Sequence, residues 1–225
     1  ALKLSKTREN AVTHKGSYKV VLYTPVYHNS PGTQYRIDMI NRSLSAHDIN
    51  SLLISEDREG FLRNMYNTLG EILLTKKRIW EMIGKKIANR IALERPDVAI
   101  LFIDITASAL PYLSKMGIKT VISIEDLTPI YKGYKKNNFN KFIRLLKDFL
   151  SYADAVITPS YTLHEMLRSL DIEAQVVPVG LIAPKDLDIK YAENRKLLLL
   201  HAGQLNDWRK IEVIKQISYK YKVLV

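Results

Sequence analysis

The sequence predicts an α/β fold: a parallel sheet with helices on both faces, followed by a partial second α/β unit. Two observations carry this prediction. Between residues 95 and 180, short apolar runs alternate with segments of helix length, which is typical of buried parallel strands joined by crossover helices. Polar residues also gather just after the runs, where such sheets bind their ligands. We therefore look for function at the carboxyl edge of the sheet.

The elements follow in chain order from their apolar patterns. Strands are predicted at Tyr18–Thr24, Asn50–Ser55, Asp97–Asp104, Lys119–Ile124, Ala155–Thr158, Ala174–Pro178, Lys196–His201 and Lys222–Val225. Helices are predicted at Gln34–Ala46, within Phe61–Leu93, and at Thr106–Met116, Lys141–Tyr152, Tyr161–Leu170 and Asp207–Tyr221. The polar and basic stretch Tyr131–Asn140 predicts an exposed loop.

The same patterns predict a domain organisation. Residues 1–17 form a basic arm, 18–184 a first domain, 185–195 a linker and 196–225 the start of a second α/β domain. A lone strand–helix–strand unit needs cover on both faces of its sheet. Because this chain ends within a predicted strand, we expect either the remainder of a second domain or cover from the first domain, a partner or another copy.

Composition narrows the class of protein. The net charge of +11, from 34 Lys and Arg against 23 Asp and Glu, favours anionic partners. The absence of Cys excludes disulfides, thiolate catalysis and Cys-ligated metal sites. No apolar run approaches the roughly 20 residues of a membrane span, and the start of the chain lacks the apolar core of a signal peptide. We expect a cytoplasmic protein.

Two segments concentrate the positive charge. Leu73–Leu93 interleaves six cations with apolar residues that include Trp80. Such a helix can lie on an anionic membrane, which would make the protein peripheral, or pack as a crossover helix with a solvated Lys face. Tyr131–Lys147 interleaves cations with Tyr131, Tyr134 and Phe139, a pattern that also suits nucleic acid. No nucleic-acid-binding motif accompanies it, so we do not expect that partner.

Three motifs then follow in a fixed order. Arg95–Ile130 reads RPDVAILFIDITASALPYLSKMGIKTVISIEDLTPI, residues 152–160 read YADAVITPS, and residues 177–180 read VPVG. In this order they resemble the amino-terminal domain of retaining glycosyltransferases of the GT-B fold, in particular the family 4 group. The resemblance implies a Rossmann-like domain that transfers a hexose, with retention, from a nucleotide-sugar donor to the hydroxyl of a glycan or lipid-linked acceptor. It implies no metal and no cofactor besides the donor.

The resemblance places the catalytic candidates at Glu125 and Asp126. They stand where the family commonly has His-Asp, so Glu125 departs from its pattern. A carboxylate here can accept hydrogen bonds from sugar hydroxyls or act as a base toward an acceptor hydroxyl. Asp126 has an alternative structural role, as the cap of a turn before Pro129.

The first loop and a later strand end supply the predicted substrate-binding residues. Gly32, after the first strand, would let the backbone approach a ligand closely. Thr33, Tyr35 and Arg36 at the following helix start, and Ser160 at the end of the fifth strand, are expected to face the same cleft. An ordinary strand–helix turn is the alternative for this loop.

The family's second domain opens with a strand, a Gly-Arg-Leu motif and a nearby Lys, so the resemblance also implies a donor-diphosphate site at Gly203, Arg209 and Lys210. Cations and backbone N–H groups at a helix start stabilise the charge of a departing diphosphate. Gln204 replaces the Arg of the family motif, and the later Glu-containing donor segment is absent. Two alternatives therefore stay open: a catalytically incomplete GT-B-like module that binds a glycan, an anionic membrane or a partner protein, and a nucleotide-sugar epimerase.

Overall fold

The computed structural model describes residues 18–25, 31–55, 73–131, 133, 135–178, 199–200 and 223–224. The chain divides into two compact units, Ala1–Leu181 and Ile182–Val225. The predicted arm at residues 1–17 and the predicted linker at 185–195 lie outside the described residues.

A six-stranded parallel sheet forms the first unit. Its strands are β1 (Lys19–Thr24), β2 (Asn50–Ser55), β3 (Val98–Phe102), β4 (Lys119–Ser123), β5 (Ala155–Thr158) and β6 (Gln175–Val176). The spatial order is β2-β1-β3-β4-β5-β6, which confirms the Rossmann-like α/β prediction. The chain direction across the sheet reverses between β1 and β3, and ligands in such sheets bind at this switch point, beyond the carboxyl ends of the strands.

Helices cover both faces of the sheet. They are α1 (Pro31–Ala46), α2 (Lys77–Ala92), α3 (Leu110–Lys115), α4 (Thr128–Tyr131), α5 (Lys136–Leu150) and α6 (Tyr161–Ser169). Ile37 of α1 packs with Val20, Leu22 and Phe102 on one face. On the opposite face, a larger core joins the other side chains of the strands to α2, α3, α5 and α6.

Two sequence predictions are wrong in detail. The helix predicted at Thr106–Met116 begins as a fully buried 3₁₀ helix, Asp104–Ala109, and becomes α-helical only at Leu110. The loop predicted at Tyr131–Asn140 ends at Lys135, because α5 already begins at Lys136. The first turn of α5 is polar, so its sequence resembles that of a loop.

At the amino edge of the sheet, residues with positive φ angles lie between helices and the strands that follow them. Asp48, Arg95, Gly117 and Asp171 have positive φ angles of 58°, 50°, 75° and 55° and follow the ends of α1, α2, α3 and α6. A residue in this conformation commonly terminates a helix by satisfying its last carbonyl groups. Four tight turns thus join helices to strands at this edge, and the strand-to-helix connections lie at the carboxyl edge.

The second unit contains a parallel pair of short strands, β7 (Leu199–Leu200) and β8 (Val223–Leu224). Both lie within strands that the sequence predicts. The helix predicted between them, Asp207–Tyr221, lies outside the described residues. Within the described segments, no helix combines the length and the apolar composition that a membrane span needs.

Candidate functional site

Buried polar side chains mark the carboxyl edge of the sheet. Thr24, Ser123 and Thr158 are the last residues of β1, β4 and β5, and Asp104 follows β3 by two positions. All four are completely buried. Since buried polar groups need hydrogen-bond partners, this edge is where side-chain networks connect separate strands.

The central group of this edge is Arg36, Ser123 and Glu125. Arg36 in the second turn of α1 donates from Nε to Oε1 of Glu125 at 2.9 Å, and the same N–H lies 3.3 Å from Oγ of Ser123. Ser123 at the end of β4 donates from Oγ to the same Oε1 at 2.5 Å. Arg36 and Ser123, which are 87 positions apart in sequence, therefore hold the same oxygen of the Glu125 carboxylate.

Only one oxygen of Glu125 is used in this way. In the described part of the chain, Oε2 accepts no hydrogen bond, and it is not fully buried. The Glu125 side chain keeps 15% of its surface exposed, so Oε2 faces the solvent. Burial raises the pKa of Glu125, while the hydrogen bond from Ser123 and the charge of Arg36 lower it in part. The result is a fixed carboxylate with one accessible oxygen and a raised basicity.

Arg36 is itself almost completely buried, with 2% of its side chain exposed. Its Nη1 donates to the backbone oxygen of Val177, just after β6, at 2.7 Å. Its Nη2 is buried and has no hydrogen-bond partner within the described structure. One guanidinium thus joins α1 to the ends of β4 and β6, which fixes the geometry of this side of the edge.

A second buried carboxylate, Asp104, lies at the end of β3. The backbone N–H of Thr128 donates to its Oδ2 and the Thr128 hydroxyl donates to its Oδ1, both at 2.6 Å. Burial raises the pKa of Asp104 to about 6, against the lowering effect of the Thr128 hydrogen bonds. The nearby charge of Asp126 adds a small further increase.

The residue before Asp104 has an unusual backbone conformation. Ile103 has a φ angle of 79°, which is strongly disfavoured for a β-branched residue. Its N–H donates to the carbonyl of Ser123 at 3.1 Å, and its own carbonyl accepts from the Thr106 hydroxyl at 2.6 Å. Strain of this kind persists only where surrounding contacts enforce it, and it is frequent at functional sites.

The structure locates the other predicted substrate-binding residues of the first unit. Gly32, Thr33 and Tyr35 lie on the first turns of α1 beside Arg36; Gly32 and Tyr35 are exposed, and Thr33 is buried. Ser160 is the N-cap of α6 and accepts from the Leu163 N–H at 3.2 Å. Contact between any of these residues and a substrate stays a prediction.

The remaining predicted residues fall into two groups. Asp126 is exposed beside Glu125, and the helix that starts before Pro129 is held by Asp104. Gly203, Arg209 and Lys210 lie outside the described residues, so their role toward a diphosphate stays a prediction. Across the described segments, no three acidic or His side chains form a cluster suited to a metal ion.

Sequence reasoning missed Asp104 and Ser123 as members of the site. Each is a polar residue at the end of an apolar run, VAILFID for Asp104 and KTVIS for Ser123. That position indicates a side chain at the carboxyl edge of the sheet. Their partners, Thr128 and Arg36, lie 24 and 87 positions away. Local patterns do not show which of these residues meet.

A cavity of about 610 Å³ lies at the opposite, amino edge of the sheet. Residues at the starts of β5 and β6 line it, together with His164 and Arg168 of α6. Asp154 in its wall is paired with Lys119 at 2.8 Å, and His164 Nδ1 lies 2.8 Å from the Ala174 carbonyl oxygen. Asp154 and His164 thus bind groups at the starts of β4 and β6. We therefore place the candidate site at the carboxyl edge.

The basic helix α2 packs as a crossover helix. Trp80, Ile83, Ile87 and Ile91 are buried, and the Trp80 indole donates to the Leu74 carbonyl at 2.8 Å. Of the two roles predicted for this segment, the structure shows the crossover helix, because the core occupies its apolar side. The charged side of the helix remains at the surface.

Comparisons with known proteins give similarities of structure. No protein-family model and no curated protein sequence matches the chain. Arabidopsis thaliana UGT89C1, complexed with UDP-L-rhamnose, is similar over 90% of this chain and 63% of its own, with 9% identity and a TM-score of 0.45. A UDP-glucosyltransferase from Polygonum tinctorium capable of glucosylating indoxyl, in complex with 3,4-dichloroaniline, is similar over 84% and 60%, with 12% identity and a TM-score of 0.38. The chain thus spans about three fifths of the length of either structure.

Proposed function

We propose that the protein transfers a hexose from a nucleotide-sugar donor to a hydroxyl group of a glycan or lipid-linked acceptor. The observation that carries this proposal is the Glu125 carboxylate, which is held through Oε1 by Arg36 and Ser123 and open at Oε2. It lies at the sheet edge where α/β domains bind ligands. The order of the three motifs in the sequence supports the same reaction class.

Oε2 of Glu125 is suited to accept a proton or a hydrogen bond from a hydroxyl group. A base becomes more effective as its pKa rises toward the working pH, and burial acts on Glu125 in that direction. Arg36 keeps the carboxylate oriented while Oε2 reacts. In this assignment Glu125 activates or orients the acceptor, and the leaving diphosphate is stabilised by Gly203, Arg209 and Lys210 of the second unit.

The stereochemistry of the transfer depends on the role of Glu125. A base that activates an acceptor for attack opposite the leaving group inverts the anomeric centre, as in inverting glycosidases. Retention, which the family resemblance implies, results from attack on the side of the leaving group or from two successive inversions through a covalent intermediate; in the first case, which we propose, Glu125 only orients hydroxyl groups. We propose retention, and the anomeric configuration of the product, measured by NMR, distinguishes the two roles.

Donor binding is the first test of this proposal. We expect one of a panel of nucleotide sugars to raise the melting temperature in a concentration-dependent way, since a ligand that binds only the folded state stabilises it. The matched free sugars and nucleoside monophosphates serve as controls. Equal melting temperatures with every donor at millimolar concentration would contradict the proposal.

A second candidate function, that of an adaptor for an anionic membrane, rests on the charge of α2 and α5. Residues 76–92 and 135–150 contain eleven Lys and Arg and two acidic residues. The two helices are direct neighbours, because the Trp80 ring lies 5.2 Å from the rings of both Phe142 and Phe149. These three aromatic rings are buried, so the basic surface offers none of them for stacking on bases.

Vesicle binding tests the adaptor function. Each cation near an anionic surface contributes about 1 kcal/mol, so Arg144→Glu on α5 should weaken binding to phosphatidylserine-containing vesicles at least tenfold. Arg42→Glu makes the same change on α1, on the opposite face of the sheet, and should have little effect. Equal binding of both variants and the wild type, or binding to neutral vesicles, would exclude this surface.

A further inference from the structure

The segment between β4 and α4 is held at both of its ends by one turn. At its start, the Ser123 carbonyl accepts from the Ile103 N–H at 3.1 Å. At its end, Thr128 donates both its N–H and its hydroxyl to Asp104 at 2.6 Å. Glu125 lies between these two attachment points.

We propose that Asp104 is a positioning residue for Glu125: with Ile103, it fixes the segment 123–128 so that the Glu125 carboxylate stays in place at the carboxyl edge. The consequence for catalysis rests on the proposed function, whereas the structural role does not.

We call the pair Asp104–Thr128 the latch, because its hydrogen bonds fix the end of the segment 123–128. The side chain of Asp104 is completely buried, and Thr128 donates to both of its oxygens. The backbone N–H of Ile105 also makes a hydrogen bond to the Asp104 side chain. Ile103, directly before Asp104, has the disfavoured φ angle of 79°, and strain of this kind persists only where surrounding contacts enforce it.

The stability of the closed segment depends on pH, because the pKa of Asp104 differs between the closed and the open state. The pKa of Asp104 is raised from 3.8 to about 6 in the closed structure, chiefly by burial. An opening that hydrates the side chain restores the ordinary pKa, so protonation favours the closed state and ionisation favours opening. Of the charged groups in the described segments, Asp126 is the one that adds to this shift.

Hydrogen exchange measures the latch directly. In the wild type we expect amide protection in residues 124–131 to fall about tenfold from pH 5 to pH 8, after correction for intrinsic exchange, because the opening equilibrium changes with pH only between the two pKa values, 3.8 and about 6, and levels off above them. Asp104→Asn should remove this pH dependence, which lies between the two pKa values of Asp104. Its amide can still accept from the Thr128 N–H and donate to the Thr128 hydroxyl, so the segment should stay closed.

Two further variants complete the experiment. Thr128→Val keeps the shape and removes the hydroxyl, so it should lower protection in residues 124–131 about tenfold at every pH. Asp154→Asn is the matched control, because Asp154 also accepts from a backbone N–H, that of Thr120 at 2.8 Å, but lies at the amino edge. It should leave residues 124–131 unchanged.

The outcomes separate this inference from the proposed function. If Asp104→Asn keeps the wild-type pH dependence, or if Thr128→Val exchanges like the wild type, the latch is refuted whether or not the protein transfers sugar. Should Asp104→Asn fail to fold, the comparison of Thr128→Val with the wild type still decides. With transfer activity in hand, Thr128→Val should lower kcat and leave the KM for the donor unchanged, and an unchanged kcat would refute the functional part.

Discussion

Replacement of Gly84 by Ala is expected to destabilise the first unit strongly. Gly84 lies in the middle of α2, on the side that packs against the 3₁₀ helix Asp104–Ala109. A Cβ atom at this position would lie 1.8 Å from the carbonyl oxygen of Ser108 and 2.4 Å from its carbonyl carbon. Both are backbone atoms, so no side-chain rotation relieves the overlap.

The size of the effect follows from these distances. An ordinary carbon–oxygen contact is about 3.3 Å, so α2 and the 3₁₀ helix must separate by about 1.5 Å. That separation would disturb the packing of Trp80 and Ile83, which are buried on the same helix. Overpacking in a core costs about 1–3 kcal/mol, and the overlap with backbone atoms places the cost here at the upper end, about 3 kcal/mol. Ala recovers about 1 kcal/mol of helix propensity. We expect a net loss of about 2 kcal/mol.

Urea unfolding with a matched control measures this loss. Gly32→Ala makes the same change in α1, where an added Cβ meets nothing within 4 Å. It should leave stability unchanged or raise it by up to about 1 kcal/mol. A loss of about 2 kcal/mol in Gly84→Ala corresponds to a drop of roughly 4–8 °C in melting temperature for a unit of this size. If the two variants unfold alike, the close approach of α2 to Ser108 is wrong.

Three further predictions concern side chains at the carboxyl edge of the sheet. Arg36→Met leaves Glu125 without its counter-ion, so it should cost about 2–3 kcal/mol at pH 8 and less at pH 4, where the carboxylate is protonated; a loss independent of pH would contradict the ion pair. Ser160→Ala removes the acceptor of the Leu163 N–H and should cost about 1 kcal/mol in urea unfolding; no loss would contradict the cap. Asp104→Asn should unfold at higher urea than the wild type at pH 8 and alike at pH 4, since burial of the ionised form is unfavourable above pH 6; equal midpoints at both pH values would contradict that burial.

The sequence was a good guide to the strands, for a physical reason. The bounds of β2 and β5 were predicted to the residue, because each is a short run of strand-forming residues that ends at a turn. It was a poorer guide to the first turn of α5, where Lys136, Asn137 and Asn138 carry little apolar periodicity. Phe139, which packs against the core, is the first residue of that helix with a helical signal.

The candidate site was predictable in part. The family resemblance led to Glu125, and the helix start after the first loop led to Arg36; the structure joins the two side chains. It did not identify Ser123 as a shared donor or Asp104 as the anchor of the next helix. Those roles depend on the order of the strands and on the conformation of Ile103, which the local sequence does not specify.

The most direct measurement for the central claim is the rate of sugar transfer by Glu125→Gln beside the wild type. Gln keeps the shape of the side chain and can still pair with Ser123, but its amide cannot take a proton from a hydroxyl group. We predict that the wild type transfers labelled hexose from a nucleotide sugar to a hydroxyl acceptor. Glu125→Gln should lose roughly 10²–10⁴-fold in kcat if Glu125 takes the proton of the acceptor, and roughly tenfold to a hundredfold if, with retention, it only orients hydroxyl groups. Its thermal shift by the donor should be unchanged in both cases. An equal kcat in the two proteins would contradict the assignment of Glu125.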